Sequence, residues 1–232
     1  MIELRRSQDR GVGEHGGWLH SRHSFSFADY VDPQRMGFSA LRVINDDEVA
    51  PGAGFPKHAH RDMEIISVIL QGSIEHKDSM GHVTQLHAGE VQRMSAGTGI
   101  SHSEYNPSSD EVLRFLQIWI EPDRMGIPPS YDQRDISKTM QGPMSLLISP
   151  DGQEGSMQLQ QDARVYFGRL SADESLQQSL SPTRKYYLHV LNENLQANQQ
   201  ILSAGDALAI EGETALNLTS EVKSEFLFFD LP

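Results

Sequence analysis

The sequence predicts an all-β fold of the sandwich or barrel kind, and three observations carry that reading. Helical 3.6-residue periodicity is weak along nearly the whole of the 232-residue chain. Short runs rich in β-branched and aromatic residues recur between clusters of Gly, Pro, Asn and Asp. Turn signals are spread regularly, as in many short antiparallel strands and unlike alternating strand–helix units.

Ala40–Ile44 is the first clear strand, closed by Asn45-Asp46-Asp47, a cluster that reads as a turn. Glu64–Leu70 contains Ile65, Ile66, Val68 and Ile69 and stops at Gln71-Gly72. Met80-Gly81 and Ala88-Gly89 mark further turns. Val112–Ile120 is a long apolar run, and the Pro- and Gly-containing stretch Glu121–Ser130 after it reads as a linker. Met144–Ile148 is a strand ended by Pro150-Asp151-Gly152. Val165–Leu170 and Tyr186–Leu191 are strands, Ala204-Gly205-Asp206 is a turn, and Ala207–Ile210 and Glu225–Phe229 are strands.

The order contains an internal repeat. Glu64–Leu70 resembles Lys185–Leu191, and His87-Ala88-Gly89-Glu90 resembles Ser203-Ala204-Gly205-Asp206. The run Val112–Ile120 resembles Glu225–Leu231. Two copies of one β-unit fit the length.

Composition narrows the function classes. Nineteen Lys and Arg against 32 Asp and Glu give a formal net charge of −13. That balance argues against nucleic acid as a partner, which needs a basic footprint. The absence of cysteine excludes disulfides, thiolate nucleophiles, iron–sulfur clusters and Cys-type zinc sites. No run approaches the length of a transmembrane helix. Met1–Arg6 holds no apolar stretch of signal-peptide length, so the expected setting is the cytoplasm, with no membrane partner.

Nine of the ten histidines lie at or before position 102, and only His189 follows. Two pairs share i, i+2 spacing: His58 with His60, and His102 with Glu104. On a strand such residues point to one face. Two strands placed opposite each other would present three imidazoles and a carboxylate, a shell for a divalent transition metal. Ligating imidazoles must be neutral, so such a site should empty on acidification through roughly pH 6. His20 and His23 read as hydrogen-bonded structural residues, and His76, His82 and His87, near turns, as solvated.

The residues around these pairs resemble the two cupin motifs. Gly52, His58, His60, Glu64 and Gly72 fall on the first, with Gly72 one residue late. Gly89, Ser95, Gly97, His102 and Asn106 fall on the second. There Ser95 replaces Pro, and four residues rather than two separate Gly97 from His102. The departures resemble those of the pirin family, whose pattern is matched by Trp18-Leu19, His23–Tyr30, Gly37–Asp47, His58–Glu64, Met94–Asn106 and Gln117–Ile120. The match is dense in the first half and thin in the second, and is most like the bacterial pirin-like quercetin 2,3-dioxygenases.

That resemblance implies a bicupin, two jelly-roll-like β-barrel domains packed face to face. Residues 1–125 would form the metal-binding N-terminal domain, and 126–232 a cupin-like C-terminal domain without metal ligands. It implies one divalent metal per chain on His58, His60, His102 and Glu104. Fe(II) is the family default, with Cu, Ni, Mn, Co and Zn compatible with the same donors. Glu64 takes a supporting role, and Glu104 becomes the catalytic proton acceptor. The implied substrates are a flavonol and O2. Phe25, Phe27, Phe38, Met94 and Trp119 are the candidate aromatic and apolar pocket walls. The alternative is a metal-binding, redox-sensing regulator acting through a protein partner.

Overall fold

The computed structural model describes all 232 residues. In chain order the strands are β1 (Ile2–Arg5), β2 (Gly11–His15), β3 (Leu19–His23), β4 (Leu41–Val49), β5 (Gly54–His60), β6 (Glu64–Gln71), β7 (Ser73–Asp78), β8 (Val83–His87), β9 (Glu90–Ser95), β10 (Ile100–Tyr105), β11 (Leu113–Ile120) and β12 (Ser130–Asp135). A single helical turn, α1 (Ile136–Thr139), precedes β13 (Met144–Ser149), β14 (Met157–Gln158), β15 (Arg164–Leu170), β16 (Glu174–Ser179), β17 (Lys185–Asn192), β18 (Asn194–Ala197), β19 (Gln200–Ser203), β20 (Ala207–Glu211), β21 (Ala215–Ser220) and β22 (Ser224–Leu231). No helix is long and apolar enough to cross a membrane.

The chain divides into two compact units. The first comprises Gly11–Lys138 with Leu159–Gln161, and the second Met1–Arg10, Thr139–Gln158 and Asp162–Pro232. In the first, a seven-stranded sheet in the order β12-β9-β6-β11-β4-β3-β2 accompanies a four-stranded sheet β5-β10-β7-β8. In the second, the orders are β1-β20-β17-β22-β15-β13-β14 and β16-β21-β18-β19. The central strands of the two units correspond, and the sequence repeat is their register; at the far edge β2 and β3 pair antiparallel where β13 and β14 pair parallel. β6 takes the place of β17, β11 that of β22, and β9 that of β20.

The boundaries differ from a cut between residues 125 and 126. β12 lies beyond that point and pairs with β9, while β1 pairs with β20 in the second unit. Both β9 and β20 would otherwise present unpaired backbone groups at a sheet edge. In each unit a strand outside the repeat supplies the missing pairing. Glu121–Pro129 has no regular structure, as a linker would, but Ser130 already begins β12.

The expected turn at Asn45-Asp46-Asp47 is instead the middle of β4, paired on one side with β3 and on the other with β11. Its polar residues are satisfied across the strands. His23 Nδ1 lies 2.7 Å from Asn45 Oδ1, Arg114 donates twice to Asp46 at 3.0 and 2.7 Å, and the Ser21 hydroxyl donates to Asp47. Asn and Asp favour turns through local hydrogen bonds, and here cross-strand partners replace those bonds.

The cores of the two units differ in one informative row. In the second unit the row across β20, β17, β22 and β15 reads Leu208, Leu188, Phe228 and Tyr166, within a continuous apolar cluster. The corresponding row of the first unit, across β9, β6, β11 and β4, reads Gln92, Ser67, Gln117 and Asn45. This polar row separates a cluster around Ile69, Ile74, Leu86 and Phe115 from another around Ile65, Met94 and Ile100. A buried polar row persists only where something requires its hydrogen bonds.

Candidate metal centre

β5 and β10 run antiparallel, with His102 opposite His58 and Ile100 opposite His60. Along β10, Ile100, His102 and Glu104 face inward, as the two-residue strand period requires. The register slips between His102 and Glu104, so that Glu104 lies opposite Phe55. At this slip a Cβ on Gly54 would stand 2.3 Å from the Glu104 carbonyl oxygen and 2.5 Å from Tyr105 Cα. Glycine is what lets the two backbones approach so closely.

Three imidazoles converge. His102 Nε2 lies 3.1 Å from His58 Nε2 and 3.1 Å from His60 Nε2. His58 Nδ1 donates to the Pro56 carbonyl at 2.8 Å, so its neutral ring presents a bare Nε2 to the other two. A single His102 Nε2 proton cannot point at both neighbours. Burial, reinforced by the His102 and His58 rings, lowers His60 to about 3. Burial, then His58 and His76, lower His102 to about 3. Neutral rings whose Nε2 atoms converge on one point suit a cation. Nitrogens about 2.1 Å from one ion, with bond angles near a right angle, would lie about 3 Å apart.

Glu104 is fully buried beside this point, in a second cluster with His76 and His102. Burial raises its carboxyl above the usual carboxylate range, against the opposing influence of the His76 and His58 rings and of hydrogen bonds from Ser67 and Gln92. The polar row explains how the carboxylate is held. Gln92 Nε2 donates to Oε1 at 2.8 Å, Ser67 Oγ to Oε1 at 3.3 Å, and Gln117 Nε2 to Oε2 at 3.1 Å. The Tyr131 hydroxyl lies 3.0 Å from both Gln92 Oε1 and Gln133 Oε1, within donating reach of either amide.

Comparison with known proteins places the chain among relatives. The pirin family model matches residues 4–120, and a model described as the quercetinase C-terminal cupin domain matches residues 146–231. A curated Escherichia coli protein named quercetin 2,3-dioxygenase is 49% identical over 232 residues, covering 100% of this chain and 99% of its own. The chain belongs to the pirin family. The crystal structure of YhhW from Escherichia coli superposes with a TM-score of 0.96 at 48% identity, covering 100% of this chain and 98% of that one. A second structure, the bacterial pirin YhhW in complex with nickel(II), gives a TM-score of 0.95 at 48% identity, covering 100% and 99%.

In this pirin, His58 and His60 also line an apolar cleft of about 380 Å3. Its walls include Trp18, Phe27, Phe55 and Trp119, with Trp18 edge-on to Phe55 and Phe27 edge-on to Trp119, both at 5.3 Å between ring centroids. His60 meets Trp119 edge-on at 5.2 Å. Ser21, His23, Asn45, Asp47 and Gln117 add polar groups. Of the expected wall residues, Phe27 and Trp119 line the cleft. Phe25 is buried outside the lining, Phe38 forms an isolated bridge with Leu41, and Met94 packs with Ile65, Ala96 and Ile100.

Glu64 bonds away from the imidazoles, accepting from Ser95 Oγ at 2.8 Å and the Gln160 amide at 3.5 Å. His23 is a buried, hydrogen-bonded residue, as expected. His76 is not solvated, as its position near a turn suggested, but fully buried against His102. Trp18 belongs to the matched Trp18-Leu19 segment and Phe55 lies between Gly52 and His58 of the first cupin motif, whereas the turn-like composition of Asn45 and Asp47 hides their place in the cleft.

Proposed function

We propose that this protein is a metal-dependent dioxygenase that opens the heterocyclic ring of flavonols such as quercetin with O2 and releases carbon monoxide. The observation that carries this reading is the meeting of three converging imidazole Nε2 atoms with an aromatic-walled cleft at His58 and His60. The ion would be held by His58, His60 and His102, with Glu104 completing the set beside His102. Iron(II) is the family expectation, and the nickel(II) complex of YhhW supports a divalent ion.

A bound divalent ion supplies Lewis acidity and open coordination positions for an enol oxygen and dioxygen. The chain's own contribution is to bind, orient and accept a proton. Trp18, Phe27, Phe55 and Trp119 take the flat rings of the substrate and exclude water from the reacting edge. Gln117 reaches both the cleft and Glu104 Oε2. Glu104 takes the 3-hydroxyl proton at a carboxylate oxygen.

The test is elemental analysis of the purified protein, with quercetin consumption and carbon monoxide release measured after iron(II) loading. One ion per chain is expected, with turnover abolished by His58→Ala, His102→Ala and Glu104→Gln. Metal content unchanged in His102→Ala would overturn the centre. One bound ion without turnover would overturn the dioxygenase reading and favour a regulator acting through a protein partner.

A further inference from the structure

His76 and Asp78 form a third i, i+2 pair, on β7, and the register with β10 sets Asp78 opposite His102 and His76 opposite Glu104. Both side chains are wholly inaccessible to solvent. Asp78 is anchored on its outer side. Its Oδ1 accepts the Met80 and His82 amides at 2.9 and 3.1 Å, and its Oδ2 lies 2.8 Å from His82 Nδ1. On its inner side Oδ2 lies 3.3 Å from His76 Nε2. His76 Nδ1 lies 3.5 Å from His102 Nδ1. The Tyr131 ring stacks on both His76 and His82, at 4.9 and 5.1 Å, and fixes the plane of the His76 ring.

We propose that His76 and Asp78 are positioning residues for the metal centre, and that the chain Asp78–His76–His102 sets the tautomer and the ring plane of His102. With both rings neutral, the contacts allow one arrangement. A carboxylate only accepts, so His76 Nε2 carries its hydrogen toward Asp78. The neutral His76 ring then has a lone pair at Nδ1, which accepts the hydrogen of His102 Nδ1. His102 Nε2 is left bare and aimed at His58 and His60. His58 reaches the same state through the Pro56 carbonyl. An outer partner on a ligating imidazole raises its basicity, and losing one typically costs about 10–100-fold in metal affinity.

The proposal rests on the metal-site reading, not on the reaction, so its test needs no flavonol. Nickel(II) dissociation constants would be measured by chelator competition on the full chain, alongside His76→Phe, His76→Asn and Asp78→Asn. His76→Phe keeps a ring for Tyr131 but removes the acceptor. His76→Asn keeps an acceptor near the Nδ1 position but falls short of the His76 Nε2 contact with Asp78. The expected result is weakening of about 10–100-fold for His76→Phe, a loss for Asp78→Asn, and recovery of part of the affinity in His76→Asn. A second readout is proton NMR of the cobalt(II)-loaded protein. Two slowly exchanging, hyperfine-shifted imidazole N–H signals are expected, from His58 and His102, and the His102 signal should vanish in His76→Phe and persist in His76→Asn. If His76→Phe does not fold, the Asp78→Asn and His76→Asn comparison still decides. Equal affinity and an unchanged N–H signal in folded variants would overturn the relay while leaving the centre intact. A wild-type chain that binds neither nickel(II) nor cobalt(II) would overturn both.

Discussion

His60 and His102 are held neutral by their surroundings, and that gives the protein a defined response to acid. In an unfolded chain an imidazole takes up its proton near pH 6.5. In the fold these two do so only near 3, chiefly through burial. Between those limits the unfolded state binds more protons, so the stability of the metal-free protein is greatest above pH 6.5 and declines as the pH falls toward 3. The thermal midpoint of the metal-free protein should therefore drop between pH 7 and 4, and drop less when both residues are replaced by Gln. An equal drop in that double variant would show that other groups govern acid sensitivity. The converging histidines themselves were legible, because i, i+2 spacing on a strand is a direct geometric statement. His76 has the same spacing to Asp78 and was not recognised, because Ser79-Met80-Gly81 immediately follows and signals a turn. The turn is real, yet the strand before it carries both side chains inward.

Strands position the centre through register, and the close pass of β5 against β10 is its most sensitive feature. Replacing Gly54 with Ala drives a methyl group into the backbone at Glu104 and Tyr105. Backbone cannot rotate away as a side chain can, so the strands must part, at a cost of about 1–3 kcal/mol. Parting them also moves His58 and His60 relative to His102. Gly52 is the contrasting case: it has φ +68 but open space around it. Gly52→Ala strains its own turn and leaves the β5–β10 pairing in place. Chemical denaturation with nickel(II) titration should thus show Gly54→Ala losing both stability and affinity, and Gly52→Ala losing stability alone. Matching losses of affinity would refute this assignment. Apolar strands such as β6 and β11 were readable because both faces are buried, which turns an alternating pattern into a continuous run. β4 was cut short at Ile44 because Asn and Asp are judged by local preference, and the partners that overrule it, His23, Arg114 and Ser21, are distant in sequence.

The two units show how one architecture is kept while its interior is rewritten. Where the first unit encloses Glu104, Gln92, Ser67 and Gln117 supply the donors that a buried carboxylate requires. The second unit has Leu208, Leu188 and Phe228 in those places, and the same sheet closes over hydrocarbon. The repeat was visible in sequence because both copies need the same central strands. The provenance of the edge strands was not, since pairing with β9 or β20 leaves no periodic trace outside the repeat. That pairing makes the first residues of the chain part of the second unit. Ile2 and Leu4 pack against its core, and Arg6 Nη1 and the Ser7 amide donate to Asp206 at 2.8 and 2.6 Å. Deleting residues 1–5 would strip β20 of its outer partner and expose its backbone amides, while β9 keeps β12. Hydrogen exchange should then accelerate across Ala207–Glu211, with Glu90–Ser95 and Ile100–Tyr105 unchanged. Equal acceleration in β9 and β10 would mean that the two units unfold together, and unchanged exchange in β20 would mean that β1 contributes nothing to closing the sheet.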